Sequence, residues 1–93
     1  MLAITKFSTD EEAIAIANST RYGLSSCIQT KDVTRAHRIA AALETGEVLI
    51  NGAPNLAVHR PFGGIGISGV GKEGGRAGFD EFLPIESVAI SIK

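Results

Sequence analysis

The chain has 93 residues, of which 44% are hydrophobic and 20% charged, and its formal net charge is −1. This length allows one small domain with a modest core, which buries about 60–65% of the unfolded chain's surface. The small net charge gives no electrostatic support for nucleic acid or an anionic membrane as partner, and no apolar run approaches the roughly 18 residues of a membrane span. The first residues lack the order of a signal peptide, so we expect a cytoplasmic protein. One cysteine excludes an internal disulfide, and two histidines indicate no metal site.

The first part of the chain predicts strands that alternate with helices. Residues 2–7 form a short apolar run typical of a strand. Residues 8–17 predict a helix with acidic side chains in its first turn, where the helix dipole favours them. Two overlapping capping boxes are available at its start, Ser8 with Glu11 and Thr9 with Glu12. Residues 24–30 predict a second strand.

A second helix and a third strand follow. Asp32 is a suitable N-cap, and apolar residues then recur at the spacing of one helix face, at Ala36, Ile39, Ala40 and Leu43. Gly46 is expected to end this helix in the left-handed conformation. Residues 48–50 predict a strand covered on both faces, because its apolar residues do not alternate with polar ones. The order predicts an α/β fold, a partial β-α-β-α-β unit with parallel strands and right-handed crossovers.

The last part of the chain predicts two further elements after a long loop. Residues 51–60 form that loop, and a short helix that begins near Gly74 is ended by Pro84. The final segment begins at Ser87 and ends at Ile92, and its apolar residues alternate with small ones as in a strand. Such an uncharged edge strand favours pairing with another chain.

Eight of the chain's 11 glycines lie between residues 61 and 78. The backbone there needs conformations or close approaches that a β-carbon forbids, and the interleaved apolar residues indicate a shaped loop that borders a pocket or an interface. Residues 64–69 also match the phosphate-binding pattern G-x-G-x-x-G, and residues 66–72 match G-x-x-x-x-G-K. Both patterns require a strand directly before the loop and a helix directly after it, and that context is missing.

This loop and its surroundings resemble one known family. Pro61-Phe62-Gly63-Gly64, followed by Ser68-Gly69-x-Gly71-Lys72-Glu73, is similar to the loop near the C-terminus of the aldehyde dehydrogenase superfamily. Further matches stand in the family's order and spacing: Asn18-x-Thr20-x-Tyr22-Gly23-Leu24, Thr30-Lys31-Asp32, Arg35-Ala36 and Gly46-x-Val48-x-Ile50-Asn51. The resemblance covers nearly the whole chain, but a complete enzyme of that family is several times longer, so the chain resembles a C-terminal piece. It departs from the family at Gly66, where a long polar side chain is usual, and at Lys72, where arginine is common.

The resemblance implies roles for three residues near a substrate. Phe62 matches the aromatic residue that walls the aldehyde channel, with the alternative that its ring only anchors the loop in the core. Pro54 and Leu56 match positions that can also face the substrate, Leu56 as an apolar wall. The resemblance implies no catalytic, cofactor-binding or metal-binding residue here, because it puts the nucleophilic cysteine, the water-activating glutamate and the cofactor domain upstream of Met1.

Three other side chains could in principle take part in catalysis, but the sequence favours a structural interpretation of each. Cys27 lies inside a predicted strand, where a free cysteine is usually a small buried hydrophobe, and its position does not match the family's nucleophile. His37 is expected on a solvated helix face. His59 precedes the glycine-rich stretch and is expected on a surface loop, with a pocket border as the alternative.

Function follows from the resemblance as an expectation. It implies a parent enzyme that oxidises an aldehyde to a carboxylic acid with NAD or NADP, whereas this chain alone is expected to be inactive and to bind no cofactor. Residues 1–83 correspond to part of the catalytic domain and residues 84–93 to an oligomerisation strand. The expected partner is the missing N-terminal part of the enzyme, or another copy through the final strand. Two alternatives stay open, a stand-alone interaction module and a small nucleotide-binding domain that uses the glycine-rich loop.

Overall fold

The computed structural model describes residues 1–53 and 58–92. The helices and strands are α1 (Asp10–Ala17), β1 (Tyr22–Gly23), β2 (Ser25–Ile28), α2 (Val33–Ala42), β3 (Glu47–Ile50), β4 (Ile65–Gly66) and α3 (Gly75–Asp80). The predicted α/β class is confirmed, with short helices and a small number of short strands in the described residues.

A parallel pair of strands forms the centre of the fold. β2 pairs with β3 in a register that places Ser25 opposite Glu47 and Ile28 opposite Ile50. α2 connects the two strands, as a parallel pair requires. Beyond the strands the pairing is continued by Asn51, whose side-chain amide accepts from the Thr30 N–H at 2.9 Å and donates to the Thr30 carbonyl at 2.8 Å. The predicted parallel arrangement is therefore confirmed for the second and third predicted strands.

Both longer helices begin at the residues that the sequence predicts. The Thr9 hydroxyl accepts from the Glu12 N–H at 3.1 Å, and the Glu12 carboxylate accepts from the Ser8 N–H at 2.8 Å. Side chains therefore satisfy backbone donors at the start of α1 that have no partner within the helix. The Asp32 carboxylate accepts from the Arg35 N–H at 2.9 Å and caps α2 in the same way.

Polar contacts join α1 to α2 at both ends. At one end the Asp10 carboxylate accepts from Arg35 Nε at 3.0 Å to each oxygen and also forms ion pairs with Arg35 and Arg38. The hydrogen bond from Arg35 holds the pKa of Asp10 below its ordinary value, and the same contact raises the pKa of Arg35. At the other end the Asn18 side chain donates to the Ala42 carbonyl and accepts from the Glu44 N–H, both at 2.9 Å.

The sequence predictions for residues 2–7 and for Gly46 are wrong. Residues 2–7 lie outside helices and strands and are exposed, because an apolar run forms a strand only where a neighbouring edge accepts its backbone hydrogen bonds. Gly46 does not end α2 in the left-handed conformation, since the helix already ends at Ala42 and its C-cap residue, Leu43, has an extended backbone (φ −79°, ψ 132°). Glycine is needed at position 46 for another reason: a β-carbon there would lie 1.6 Å from the Gly63 carbonyl oxygen.

The core is smaller than the sequence predicts. Among the described residues, the buried apolar ones are Ile28, 8% exposed, and Ala36, 2% exposed. The expectation that residues 48–50 are covered on both faces is wrong, because all three are only half-buried in a sheet of two strands. Residues 84–92 also lie outside helices and strands, so the predicted final strand is not formed within the chain. A strand at an edge needs a neighbour, and its pairing with another chain stays a prediction.

Candidate functional site

The glycine-rich stretch folds into a loop with a closed neck at residues 62 and 73. The Phe62 N–H donates to the Glu73 carbonyl at 2.7 Å, and the Glu73 N–H donates to the Phe62 carbonyl at 2.8 Å, so these two residues form an antiparallel bridge. Next to the neck, the Gly75 N–H donates to the Val58 carbonyl at 2.8 Å. The backbone of Phe62 is therefore fixed by two reciprocal hydrogen bonds and not left in an open turn.

The far side of the loop is attached to the segment that follows α1. β4 pairs with β1 in antiparallel fashion, and the Ile67 N–H donates to the Arg21 carbonyl at 3.1 Å. The Ser68 hydroxyl accepts from the Gly23 N–H at 2.8 Å. Gly66 has φ +58°, and a β-carbon there would lie 2.5 Å from the Arg21 carbonyl oxygen. The departure from the family at Gly66 is thus explained by a left-handed backbone and a close approach to Arg21.

An ion pair connects the entry to the loop with β3. Arg60 Nη2 donates to Glu47 Oε1 at 2.9 Å, and Glu47 is only 8% exposed. Burying a carboxylate without a partner costs free energy, because the charge loses its hydration. The guanidinium of Arg60 compensates the charge of Glu47 at this position. The contact places Arg60, two residues before Phe62, against the edge of the parallel pair.

Phe62 borders an open groove of about 660 Å³ beside the loop. The apolar side of the groove is formed by Leu24, Val58, Phe62, Phe79 and Phe82. The ring of Phe62 is half-buried, so it contributes to the wall of the groove and is also partly covered. Pro54 and Leu56, the two other predicted substrate-facing residues, lie outside the described residues.

The loop does not fit a nucleotide phosphate. Such a site needs free backbone amides and a cation directed at the ligand, whereas the Lys72 ammonium donates to the loop's own carbonyls, to Gly63 at 3.1 Å and to Gly64 at 3.4 Å. The loop interior is occupied by backbone: a β-carbon at Gly63 would lie 2.3 Å from the Gly71 carbonyl oxygen. The helix after the loop, α3, has only six residues. These residues therefore offer no cradle for the pyrophosphate of NAD or NADP.

The remaining reactive side chains lie away from this groove. Cys27 is exposed, which corrects the prediction that it is a buried hydrophobe. The alternation along β2 puts Cys27 on the face opposite the buried Ile28, and it borders a different groove, between α1 and α2. His37 and His59 are both exposed, as expected for a solvated helix face and a surface loop. Within the described residues, no group of three or more His, Cys, Asp or Glu side chains is placed to hold a metal ion.

Two residues of the site were missed in the sequence. Glu47 precedes an apolar triplet, and a charged residue in that position signals a partner, but only the folded chain shows that the partner is Arg60. Lys72 occupies the lysine position of the phosphate-binding pattern G-x-x-x-x-G-K, but its ammonium group donates to backbone carbonyls instead. No helix in the part of the chain that the structure describes is both long and apolar enough to cross a bilayer.

Comparison with known proteins assigns a family. Residues 1–88 match the sequence profile of the "Aldehyde dehydrogenase family". The chain is 46% identical over 91 residues to an aldehyde dehydrogenase-like protein of Schizosaccharomyces pombe. This alignment covers 98% of this chain and 18% of that protein. It is 44% identical over 92 residues to a betaine aldehyde dehydrogenase of Cereibacter sphaeroides. This second alignment covers 99% of this chain and 19% of that enzyme.

Solved structures agree with the sequence matches. The chain superposes on betaine aldehyde dehydrogenase from Staphylococcus aureus in complex with NAD+ with a TM-score of 0.78 and 39% identity, over 82% of this chain and 15% of that one. The chain therefore spans less than a fifth of the length of the relatives it matches.

Proposed function

The chain belongs to the aldehyde dehydrogenase family, and from this premise we propose that it supplies the substrate-channel wall of an enzyme that oxidises an aldehyde to a carboxylic acid with NAD or NADP. Almost the whole chain aligns with less than a fifth of the length of its relatives. This supports the proposal that the chain forms one part of such an enzyme. When bound to the rest of the enzyme, the cofactor supplies the acceptor for the electrons removed from the aldehyde.

The observation that carries the proposal is the placement of Phe62. Its backbone is held in the neck of a closed loop, and its half-buried ring borders an apolar groove together with Leu24, Val58 and two further phenylalanines. Substrate pockets are typically apolar and aromatic, and a wall residue selects substrates only if its own backbone is fixed. Phe62 satisfies both conditions. We propose that Pro54 and Leu56 continue this wall.

We further propose that the chain alone does not turn over aldehydes. The reaction needs a nucleophile that attacks the aldehyde and a site for the cofactor. Cys27 borders a different groove from Phe62, and the glycine-rich loop does not fit a pyrophosphate. In this proposal the other groups of the reaction come from the rest of an enzyme.

Complementation tests this function. The S. aureus betaine aldehyde dehydrogenase, with the segment that matches this chain deleted, is mixed with the chain, and betaine aldehyde oxidation is followed with NAD+. We expect no turnover from either component alone and turnover from the mixture. Phe62→Ala is expected to lower kcat/KM of the mixture about tenfold, because it removes an apolar side chain from the wall of the proposed channel. Phe7→Ala is the matched control, because Phe7 borders the other groove.

Two outcomes would contradict the proposal. Turnover by the chain alone, in a preparation free of any intact enzyme, would show that the reactive groups are present in it. A mixture that stays at the level of the blank would remove the support for a channel-wall role.

We also propose that the chain associates with another copy through the segment from Ser87 to Ile92, and that it acts in the cytoplasm. Residues 84–93 then serve as an oligomerisation strand and residues 1–83 as part of the catalytic domain. The exposure of Val88, Ile90 and Ile92, at 74%, 80% and 92%, supports self-association, because such a row of apolar side chains is normally covered.

A further inference from the structure

Lys72 reaches from one side of the glycine-rich loop to the other. Its Nζ donates to the carbonyl oxygens of Gly63 at 3.1 Å and Gly64 at 3.4 Å. Its aliphatic chain crosses Gly63, because a β-carbon on that residue would lie 2.9 Å from Lys72 Cδ. The ammonium group therefore contacts the carbonyl groups of the two residues that directly follow Phe62.

The main chain of Lys72 is itself anchored on two sides. Its N–H donates to Glu81 Oε1 at 3.2 Å, and its neighbour Glu73 closes the neck with Phe62. Lysine normally extends its ammonium into water. Lys72 is instead half-buried and its ammonium donates to two carbonyls, so the contact is a specific part of the loop structure. Hydrogen bonds from a charged donor are also stronger than those between neutral groups.

The residues that receive these bonds cannot fix the turn with side chains of their own. Gly63 and Gly64 have no side chains, and a Gly-Gly pair is the most flexible dipeptide that can follow an aromatic residue. The neck holds Phe62 through both its N–H and its carbonyl, in the bridge to Glu73. The course of the loop directly inside this neck depends on the peptide groups that carry the Gly63 and Gly64 carbonyls, and these are the carbonyls that accept from Lys72.

We propose that Lys72 is a positioning residue for Phe62, whose ammonium orients the Gly63 and Gly64 peptides and thereby the Phe62 ring. The importance of this for substrate selection rests on the proposed function, in which Phe62 borders the path of the aldehyde. The positioning itself is a property of this chain.

The test uses the full 93-residue chain with fluorinated phenylalanine at its four phenylalanine positions. Phe62→Leu assigns the fluorine signal of residue 62, and amide exchange is measured in parallel. Lys72→Met is expected to shift and broaden the Phe62 signal and to raise amide exchange at Phe62 and Glu73 about tenfold. Exchange in α2 and the fluorine signal of Phe7, which borders the other groove, are expected to stay unchanged. Lys6→Met, at an exposed site with the same loss of charge, is the matched control.

Rescue separates positioning from packing. Lys72→Arg is expected to restore the Phe62 signal and the slow exchange, because a guanidinium also donates to two carbonyls. The proposal is overturned if Lys72→Met leaves Phe62 as in the wild type, or if Lys72→Arg behaves like Lys72→Met.

If Lys72→Met does not fold, a measurement on the wild type tests whether Lys72 donates to these carbonyls. A coupling across the hydrogen bond between Lys72 Nζ and the carbonyl carbon of Gly63 or Gly64 is expected, and its absence would also overturn the proposal. These readouts require no turnover. A failed complementation experiment therefore leaves them valid, and an unchanged Phe62 signal leaves the proposed function standing.

Discussion

At the scale of single residues, Gly46 shows how strongly the site depends on close backbone contact. It follows α2 and precedes β3, and the carbonyl oxygen of Gly63 occupies the position where its β-carbon would lie, at 1.6 Å. Its own N–H donates to the Gly23 carbonyl at 3.0 Å. Gly46 is therefore the point where the parallel pair, the segment after α1 and the glycine-rich loop meet.

Gly46→Ala is expected to destabilise the chain by about 1–3 kcal/mol, because the new methyl group must displace the backbone of the loop. Gly71→Ala is the matched control: its β-carbon meets Glu81 at 3.6 Å, an ordinary contact, and its φ lies outside the left-handed region. That variant is expected to be neutral or more stable by up to about 1 kcal/mol. Denaturant unfolding of both variants measures the difference, and equal effects would contradict the steric explanation.

At the scale of elements, α1 and α2 are joined by charge more than by apolar contact. α1 has no buried residue and α2 has only Ala36. The Asp10 carboxylate, in contrast, is 14% exposed and contacts both Arg35 and Arg38. At the end of the helix pair where α1 begins, the contact between the two helices therefore depends on Asp10 being ionised.

This dependence predicts acid sensitivity. The pKa of Asp10 is lowered from 3.8 by the hydrogen bond from Arg35, so the folded state favours the ionised form. Its contribution to stability is present above the unfolded pKa and is lost as the pH falls through the lower folded value. The stability difference between wild type and Asp10→Asn is expected to be constant above about pH 5 and to shrink below about pH 4. Melting curves across this range measure it.

Glu11→Gln is the control for the acid experiment. Glu11 is 79% exposed and lies 3.6 Å from Arg38, a pair that solvent screens. It is expected to show a smaller difference at every pH. An Asp10→Asn difference that stays the same down to about pH 2.5 would contradict the coupling of the helices through this carboxylate.

The elements also show which parts of the fold the sequence can predict. The caps at Thr9 and Asp32 and the apolar spacing of α2 are local signals, and both helices begin where these signals indicate. The pairing of β1 with β4 joins residues more than 40 positions apart, and neither strand is longer than two residues. The role of Gly46 depends on Gly63 in the same way. A local pattern carries no information about such contacts. A role for Phe62 was predicted from the resemblance alone, and the groove beside it is visible only in the folded chain.

At the scale of the whole molecule, the chain exposes more surface than a protein of its size that folds alone. Its accessible surface is 7751 Å², whereas a compact monomer of 9.7 kDa exposes about 5,100 Å². Its radius of gyration is 18.2 Å, against about 12 Å for a compact domain of this length. With so small a core, we expect stability to depend on contact with another chain.

This expectation predicts that the apparent stability depends on protein concentration. If two copies associate through the segment from Ser87 to Ile92, mass action raises the melting temperature as the concentration increases. Ile90→Lys is expected to shift sedimentation toward the monomer and to abolish that dependence, because it puts a charge into the apolar row. Ser91→Lys adds the same charge on the opposite face of the predicted strand and is expected to have a smaller effect. A monomer at all concentrations would contradict the association.

The attachment of the glycine-rich loop to residues 21–23 has a consequence for the order of folding. The hydrogen bond from Gly23 to Ser68 spans 45 residues, whereas the caps of α1 and α2 span three. Closing a long segment costs more chain entropy than closing a helical turn, so helices form in microseconds and distant pairings follow later. The attachment of the loop to residues 21–23 is therefore expected among the last events of folding. A nascent chain then acquires its helices before it completes the groove that Leu24 and Phe62 border.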